Sequence, residues 1–415
     1  MAEPTYGLRF FPRPLPACDN LLVVMSDIEM GAGGTQDDFP HSDFLAELFL
    51  SYNQPPFSEL PVDLVFNGDT FDFLKTACDG TYPRHITADM ALGKAETIAR
   101  AHPRFFEGVS EFLSHRQAPR HVHFVVGNHD AELLFPEVQR YLRGLTRQGR
   151  AVHFPGFELD FGAVHIEHGS QLDPMFAMNP DELFVPFDDT EVLNISWGAS
   201  ALLDTVMAVQ PLFCFHDRLK PRERVFELLP EMKEYLVGTF WQYWTRDYWR
   251  GFFDTQDPTR RLTWSMLKEI IWRFGSNHTD VTMGQALLKR IEEEDRYRLY
   301  IVGHEHQPLM RSFGDRRVLQ AGCLRNEYML VDDGQSVRPI NKCYVEAYLR
   351  QGVPIASGFV EVEPPSPPPG YVPDSIFDIV PTVRTLLAKD KALKAGLDKA
   401  RAQERKDHKL NPPAK

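Results

Sequence analysis

Residues 62–72 read VDLVFNGDTFD, an apolar run that ends in a glycine and two aspartates spaced three apart. The run Val62–Phe66 has the length and the Val, Leu and Phe content of a buried strand. Gly68 permits a sharp turn after it, so Asp69 and Asp72 would lie at the strand end. Loops at strand ends are where rigid scaffolds usually hold reactive groups. The stretch therefore predicts a functional site at the edge of a sheet.

The same rhythm of an apolar run followed by a polar cluster recurs along the chain. The runs are Leu21–Met25, Val62–Phe66, His121–Val126, Ala163–Ile166 and Leu299–Val302, and strand-like segments resume at Arg317–Gln320 and Tyr328–Val331. The clusters after the first five runs are Asp27-Ile28-Glu29, Gly68-Asp69-Thr70-Phe71-Asp72, Gly127-Asn128-His129-Asp130, His168-Gly169 and Gly303-His304-Glu305-His306. Because helical stretches lie between several of the runs, the pattern predicts an α/β sandwich with polar clusters at its strand ends.

Together the clusters offer carboxylate, amide and imidazole groups and no thiolate. This mixture of hard oxygen and borderline nitrogen donors suits Mn, Fe or Zn. Taken alone, an Asp-rich turn after a strand is more often a cap or a turn than a metal site. Five clusters in order, two of them with paired ligands one residue apart (Asp27 with Glu29, and His304 with His306), favour a metal centre.

These five blocks resemble the calcineurin-like metallophosphoesterase superfamily, whose pattern is D-x-H, G-D-x-x-D, G-N-H-[DE], a lone H and then G-H-x-H. The similarity spans Leu21–Gly169 and Leu299–Val331. It implies a four-layer α/β/β/α sandwich with two metal ions at the sheet ends.

The resemblance also implies a role for each position. One ion would be held by Asp27, Glu29, Asp69 and His306. The other would be held by Asp69, Asn128, His168 and His304, with Asp69 bridging the two ions. His129 would be the general acid, oriented by Asp72.

The implied mechanism follows from charge. Two cations about 3.5–4 Å apart lower the pKa of a bridging water, so that a bridging hydroxide attacks the phosphorus in line. A histidine beside a carboxylate stays protonated near neutral pH and can protonate the leaving oxygen, which is the step assigned to His129. We therefore expect an enzyme, a metal-dependent hydrolase of phosphoester or pyrophosphate bonds.

One position departs from the superfamily pattern, since its first histidine is Glu29 here. A carboxylate is a harder ligand than an imidazole, so Glu29 should shift metal preference toward Mn, Mg or Fe and away from Zn. Mn is the expected metal, with Fe, Mg or Zn as alternatives.

The departure at Glu29 also supports a second hypothesis, a degenerate binding or scaffold protein without activity. The presence of both His129 and Asp72 weighs against that alternative, because a scaffold needs no proton donor.

The composition places the protein among ordinary globular chains. It has 415 residues, a formal net charge of -13, 43% hydrophobic and 25% charged residues, which fits a folded, soluble protein. The acidic balance disfavours a nuclease, because nucleic-acid binding depends on dense Lys and Arg.

Five cysteines without a close pair fit neither a disulfide framework nor a zinc module. The longest early apolar run, Leu21–Met25, is too short for a signal peptide or a membrane span, so we expect a cytoplasmic protein.

Shifts in composition suggest the domain boundaries. The metallophosphoesterase core is predicted at 20–174 and 296–347, with a helical cap inserted at 175–295. A Pro-rich linker is predicted at 362–373, and a basic C-terminal tail at 374–415. Residues 384–415 hold ten Lys or Arg against four Asp or Glu. We interpret the tail as solvated, with contact to an anionic partner as the alternative.

All six Trp residues of the protein fall within the predicted cap. Trp241, Trp244, Tyr248 and Phe252 recur at helical spacing, which is more often typical of a helical core than of a binding wall. The alternatives are a wall for an acyl chain or aromatic ring of the substrate, and peripheral contact with a membrane. We expect a small phosphoester or pyrophosphate substrate that carries an apolar or aromatic group, lipid-linked compounds included.

Overall fold

The computed structural model describes residues 8–9, 15–207, 210, 217–249, 257, 259–260, 263, 264, 266, 268, 272, 284–389 and 391. The predicted tail beyond 391, Phe252 and the side chain of Trp244 lie outside this description. The strands are β1 (Leu8–Arg9), β2 (Asn20–Met25), β3 (Val62–Asn67), β4 (Arg120–Val125), β5 (Val152–Gly156), β6 (Glu158–Phe161), β7 (Val164–Glu167), β8 (Phe184–Phe187), β9 (Thr190–Leu193), β10 (Leu219–Lys220), β11 (Leu299–Val302), β12 (Leu309–Phe313), β13 (Arg316–Gln320), β14 (Tyr328–Val331), β15 (Ser336–Pro339), β16 (Lys342–Arg350) and β17 (Val353–Val362).

The helices connect and cover these strands. They are α1 (Ser42–Leu50), α2 (Ala88–Ala101), α3 (Pro103–Leu113), α4 (Pro136–Gly144), α5 (Trp197–Thr205), α6 (Arg222–Leu228), α7 (Pro230–Gln242), α8 (Gly284–Glu293) and α9 (376–389). Thr87 caps α2, where its side chain accepts a hydrogen bond from Met90 N–H, and Pro103 begins α3 at a position that needs no N–H donor.

Two sheets form the centre of the protein. The larger has seven strands in the order β1-β17-β16-β2-β3-β4-β5, and the smaller has five in the order β12-β13-β11-β7-β6. Strands β2, β3 and β4 are parallel to one another, as are β7, β11 and β13. The mixed α/β class predicted from the sequence is confirmed, and so are the predicted strands, to within one or two residues at their ends.

The alternation of side chains along β2 shows where the core sits. Leu21, Val23 and Met25 pack in a hydrophobic cluster with α1, α2 and α3. Leu22 and Val24 point to the other face, where a second cluster joins the larger sheet to β7, β11 and β13 of the smaller one. The outer face of the smaller sheet packs against α8. Side chains on both faces of β2 are thus buried, which explains why its sequence reads as a continuous apolar run.

The larger sheet extends beyond the predicted end of the core at residue 347. β16 and β17 form an antiparallel hairpin, and β16 also pairs with β2. Gln351 and Gly352, which connect the two strands, both have positive φ, at 52° and 74°. Such a two-residue turn matches the twist of an antiparallel hairpin.

The predicted cap contains short strands as well as helices. The hairpin β8–β9 precedes α5, α6 and α7, and a π-helical turn follows α7 at Tyr243–Asp247. Trp197, Tyr243 and Tyr248 form a buried cluster, whereas Trp241 and Trp264 are 48% and 72% exposed. The aromatic stripe therefore belongs partly to the core of the cap and partly to its surface.

The first part of the predicted tail is packed against the cap. Ile376 and Val383 of α9 are fully buried against Val225, Leu229 and Met232. Tyr371, in the predicted Pro-rich linker, is also buried, and its hydroxyl donates to Asp37 O at 2.6 Å. Within the described residues, no helix has both the length and the hydrophobicity needed to cross a membrane.

Candidate metal and catalytic site

The candidate site lies where strands of both sheets end. The parallel strands of each sheet end at the same edge of that sheet. Asn67, at the end of β3, links this edge of the larger sheet to that of the smaller one. Its side-chain amide donates to Glu167 O at 2.9 Å, and its carbonyl accepts from His168 Nδ1 at 3.0 Å. The residues that the sequence predicts for the site all lie at this junction: Asp27, Glu29, Asp69, Asp72, Asn128, His129, His168, His304 and His306.

One group of ligand atoms comes from Asp69, His168 and His304. One atom of each lies within 4.8 Å of the others, and His168 Nε2 is 3.1 Å from Asp69 Oδ2. Because His168 Nδ1 donates to the Asn67 carbonyl, its Nε2 keeps a lone pair in the neutral ring. Asn128 follows β4 beside this group, and its side chain is buried.

A second group centres on Asp27 and His306. His306 Nε2 is 3.3 Å from Asp27 Oδ1, and His306 Nδ1 is 3.0 Å from Glu327 Oε1. The Glu327 carboxylate can only accept, so Nδ1 donates and Nε2 faces the site. His168 Nε2 is 3.9 Å from Asp27 Oδ1, which places the two groups next to each other.

Several buried atoms of the site make no hydrogen bond. They are Asp27 Oδ1, Asn128 Oδ1 and His168 Nε2, and all three belong to predicted metal ligands. Two of them lie against other acceptors when the rings are neutral, because His168 Nε2 is 3.1 Å from Asp69 Oδ2 and Asp27 Oδ1 is 3.3 Å from His306 Nε2. A bound cation would satisfy such facing acceptors. Carboxylate, amide and imidazole acceptors facing one another fit a divalent cation.

The backbone at the site is in an uncommon conformation. Asp27, Glu29, Asp69, His304 and His306 all have φ between 49° and 74°, in the left-handed region. Non-glycine residues adopt this region rarely and at a cost of about 1–3 kcal/mol. The surrounding hydrogen bonds impose it, for example those from Ile28 N–H and Glu29 N–H to Asp69 O, at 2.9 and 2.8 Å.

Two positions in the site require glycine, because side chains of the predicted ligands approach their Cα atoms closely. A Cβ atom on Gly127 would lie 2.1 Å from Asp69 Oδ1, and one on Gly68 would lie 2.4 Å from the His168 ring. Gly68 also has a φ of 76°, which favours glycine. Larger residues at either position would displace a predicted ligand.

His129 is positioned by two aspartates. Its backbone N–H donates to Asp69 Oδ1 at 2.7 Å, and its Nδ1 is 3.1 Å from Asp72 Oδ1. Burial alone would lower the pKa of His129, but Glu29, Asp72 and Asp69 together raise it to about 10. These carboxylates favour the protonated ring, with Nδ1 on Asp72 and Nε2 as the nitrogen that can face a substrate.

Glu29 has both carboxylate oxygens bound by cations of the chain. Arg325 Nη1 donates to Oε1 at 2.6 Å, and Lys75 Nζ donates to Oε2 at 2.8 Å. Burial opposes the charge on Glu29, but Arg325 and Lys75 hold its pKa well below the usual value of 4.5. His306 Nε2 is 3.7 Å away.

Sequence reasoning missed several residues that support the site. Lys75 had a local signal, since it lies three residues after Asp72 and contacts it, and Asp173, near the lone His168, is 3.2 Å from His304 Nε2. Arg325 and Glu327 carry no comparable signal, because they reach the site from a segment far along the chain. Asp130, part of a predicted cluster, accepts from Thr70 N–H and Gly127 N–H and so ties two of the loops together.

A cavity of about 320 Å³ adjoins this region. The loop 31–38 forms one wall, and Asp72, Lys75, Tyr82 and Gln210 contribute to the rest. The volume is at the lower end of the range typical of small-molecule sites.

A comparison with protein families identifies one family. The sequence pattern of the calcineurin-like phosphoesterase family matches residues 22–308, a stretch that includes all five polar clusters. A comparison with curated proteins gives no match.

Three solved structures have a remote similarity to this chain. A dimetal phosphatase from Danio rerio is 10% identical, with a TM-score of 0.33 over 80% of this chain and 93% of that one. A putative 5'-nucleotidase from Staphylococcus aureus is 12% identical, with a TM-score of 0.30 over 89% of this chain and 58% of that one. A phosphopantetheinyl hydrolase from Mycobacterium tuberculosis is 12% identical, with a TM-score of 0.22 over 78% of this chain and 97% of that one.

The family match covers residues 22–308, and within that range the described residues contain groups of side chains able to hold metal ions. The chain is therefore a metal-dependent phosphoester hydrolase that belongs to the calcineurin-like phosphoesterase family.

Proposed function

We propose that this enzyme works with two divalent ions at the junction of its sheets. Asp27, Asp69 and His306 would hold one ion, and Asp69, Asn128, His168 and His304 the other. The observation that carries this assignment is the set of buried ligand atoms without hydrogen bonds, Asp27 Oδ1, Asn128 Oδ1 and His168 Nε2. The superfamily pattern adds Glu29 to the first set, but its surroundings favour the different role argued in the next section.

The proposed ligands combine oxygen and nitrogen donors, so Mn is the expected metal, with Fe, Mg or Zn as alternatives. When bound, two such ions would activate water as the nucleophile and neutralise the phosphoryl oxygens. The chain prepares the ligands for this task, because Asn67 O and Glu327 orient the rings of His168 and His306 with Nε2 toward the site.

His129 would supply the proton that the leaving oxygen needs. Asp72 binds Nδ1 and so directs Nε2 outward, and the neighbouring carboxylates favour the protonated ring. A general acid positioned in this way contributes about 10²–10⁴-fold to the rate. The Asp69 carboxylate accepts from His129 N–H, which fixes the acid relative to the bridging ligand.

The remainder of the substrate would lie between the loop 31–38 and the cap. Tyr82 and the loop line the adjoining cavity, and Trp249 of the cap is 36% exposed. These surfaces support a substrate with an apolar or aromatic group attached to the phosphate.

The experiment that tests this function is a hydrolysis panel with metal added back. Stripped protein is assayed against phosphomonoesters, phosphodiesters and nucleotide-sugar pyrophosphates with Mn, Fe, Mg or Zn. We expect metal-dependent hydrolysis that is fastest with Mn and with substrates that carry an aromatic group. Retention of two ions without hydrolysis of any compound would instead support a noncatalytic binding protein.

A further inference from the structure

Beside the metal ligands lies a buried group of ion pairs, which we name the Lys75 cluster. Lys75 Nζ lies 2.8 Å from Glu29 Oε2, 3.1 Å from Asp217 Oδ2 and 3.2 Å from Asp72 Oδ2, and it also contacts Asp38. Only 6% of the Lys75 side chain is exposed. A lysine so deeply buried against four carboxylates is uncommon away from functional sites.

Arg325 closes the cluster from the opposite side. Its Nη1 is 2.6 Å from Glu29 Oε1, and its Nη2 is 2.8 Å from Asp217 Oδ2, with 2% of the side chain exposed. Arg218 binds Asp38 at 2.6 Å, and Arg222 binds Asp217 at 2.9 Å.

Each carboxylate of the cluster is bound by a cation of the chain. The carboxylates are Glu29, Asp38, Asp72 and Asp217, and the cations that bind them are Lys75, Arg218, Arg222 and Arg325. The neighbouring ligands Asp27 and Asn128, by contrast, keep buried oxygens without hydrogen bonds. Asp27 and Asn128 therefore require an external cation to bind their free oxygens, whereas Glu29 does not.

Moving Glu29 onto a metal ion would have a cost. The move would break at least one of the two short hydrogen bonds between Glu29 and buried cations, and charge-assisted hydrogen bonds of this kind are among the strong ones. The present arrangement satisfies both oxygens of Glu29 in good geometry, so the pairing should persist when metal ions bind.

Lys75 also connects Glu29 with the proposed general acid. Its backbone N–H donates to Asp72 Oδ1 at 2.9 Å, and its ammonium lies 3.2 Å from Asp72 Oδ2. His129 Nδ1 reaches the same Oδ1 at 3.1 Å. Lys75 thus holds both oxygens of the carboxylate that orients His129.

We propose that Lys75 is a positioning residue for the hydrolysis: with Arg325 it keeps Glu29 out of the metal coordination, and it fixes Asp72 for His129. The inference rests on the proposed function and deepens it. It also gives the departure from the superfamily pattern a physical meaning, because a histidine at position 29 could not accept from two cations at once.

The role of Lys75 in hydrolysis is tested with the variants Lys75→Met and Lys75→Arg and with a matched control, Lys94→Met. Lys94 is another buried lysine, 3.1 Å from Glu132, and it does not contact Asp72 through any described hydrogen bond. We expect Lys75→Met to reduce kcat on alkyl phosphoesters at least tenfold and on p-nitrophenyl esters much less, since these leave without a proton. Lys75→Arg should recover most of the loss.

The Lys94→Met control distinguishes an effect on the positioning of Asp72 and His129 from a general loss of stability. Lys94→Met should lower the melting temperature and leave the ratio of alkyl to p-nitrophenyl activity as in the wild type. If Lys75→Met reduces both activities equally, Lys75 is only structural and the proposal is wrong.

The placement of Glu29 is tested without any activity, by a crystal structure of the wild-type protein loaded with Mn and located by anomalous scattering. We expect Lys75 and Arg325 to remain on Glu29, with no ion within about 2.5 Å of its oxygens, the outer limit of direct coordination. An ion bound directly to Glu29 would overturn the proposal even if the Lys75 variants do not fold. Absence of hydrolysis in the wild type would count against the proposed function alone.

Discussion

At the level of single residues, His129 has the most specific expected phenotype. It binds Asp72 through Nδ1 and contacts Asp69 only through its backbone, so His129→Ala should keep the metal ions. We expect hydrolysis of alkyl phosphoesters to slow by about 10²–10⁴-fold, and that of p-nitrophenyl esters by much less. Steady-state kinetics on a series of leaving groups measures the difference, and an equal loss across the series would remove His129 from the role of acid.

Gly127 provides a steric test of the site. A methyl group at this position would meet Asp69 Oδ1 at 2.1 Å, so Gly127→Ala should displace the proposed bridging carboxylate. We expect weaker Mn binding, measured by titration calorimetry, and a loss of about 1–3 kcal/mol in the free energy of unfolding, as overpacking usually causes. Gly93→Ala is the matched control, since a Cβ there meets no atom within 4 Å. Unchanged Mn affinity in Gly127→Ala would show that Asp69 can move without cost to the site.

The sequence could predict the residues at strand ends because each has a local signal, as with Asp69 after β3 and His168 after β7. Lys75 was missed although it follows Asp72 by three residues, because that spacing alone does not show that the lysine is buried. Arg325 could not be found locally, since it meets Glu29 across 296 positions of the chain. Only the folded chain shows that Glu29 faces two cations.

At the level of elements, the loop 31–38 is held to the junction of α2 and α3 by a buried hydrogen bond. His102 Nε2 lies 2.8 Å from Asp37 Oδ2, and both side chains are buried. Burial would raise the pKa of Asp37, but His102 and the Phe39 amide hold it below the usual 3.8. The stability that a carboxyl with a lowered pKa contributes is complete above that usual value and is lost as the pH falls through the lowered pKa.

We therefore expect Asp37→Asn to destabilise the protein at pH 7 by about 1–3 kcal/mol, the cost of an interrupted buried hydrogen bond. The difference between wild type and variant should shrink as the pH is lowered from 4 toward 2. Urea unfolding at each pH measures it. A difference that stays constant or grows with acid would show that the pair does not stabilise the charged form of Asp37.

The aromatic residues of the cap should divide into two groups. Trp249 is 36% exposed and Tyr248 is 1% exposed, although they are adjacent. We expect Trp249→Ala to raise KM about 2- to 12-fold for substrates with an aromatic group, the range of one aromatic contact, and to spare small phosphoesters. Tyr248→Ala, as the comparison, should lower the free energy of unfolding by about 3 kcal/mol or more. Equal rises in KM for both substrate types in Trp249→Ala would remove this residue from substrate selection.

The strands of the core were predictable because they are buried on both faces and read as apolar runs. The hairpin β16–β17 was not assigned, although its Gln351-Gly352 turn is a recognisable hairpin signal. Its central Glu346 is fully buried and binds Tyr52 and Tyr348, so the pattern of apolar residues is broken at a core position. Tyr348 is only two residues away, but Tyr52 meets Glu346 across 294 positions, and such a contact cannot be recognised before the fold is known.

At the level of the whole molecule, the proposed site is assembled from segments between Asp27 and Glu327, on two sheets. The junction at Asn67 brings the strand ends of both sheets together, which the family resemblance implied and local patterns could not show. The packing of α9 and Tyr371 against the cap and the loop 31–38 likewise depends on contacts across most of the chain. Composition predicted an extended linker at 362–373 and a solvated, partly helical segment from residue 384, because it carries no information about such contacts.

The most direct measurement is the number of metal ions per chain, found by elemental analysis of Mn-loaded protein after weakly bound metal is removed. Wild type should hold two, and Asp69→Asn fewer than one, because a bridging carboxylate serves both ions. Asp63→Asn, at the other end of β3 and bound to His123 at 2.8 Å, should keep two. One ion or none in the wild type, or two in Asp69→Asn, would contradict the dinuclear site.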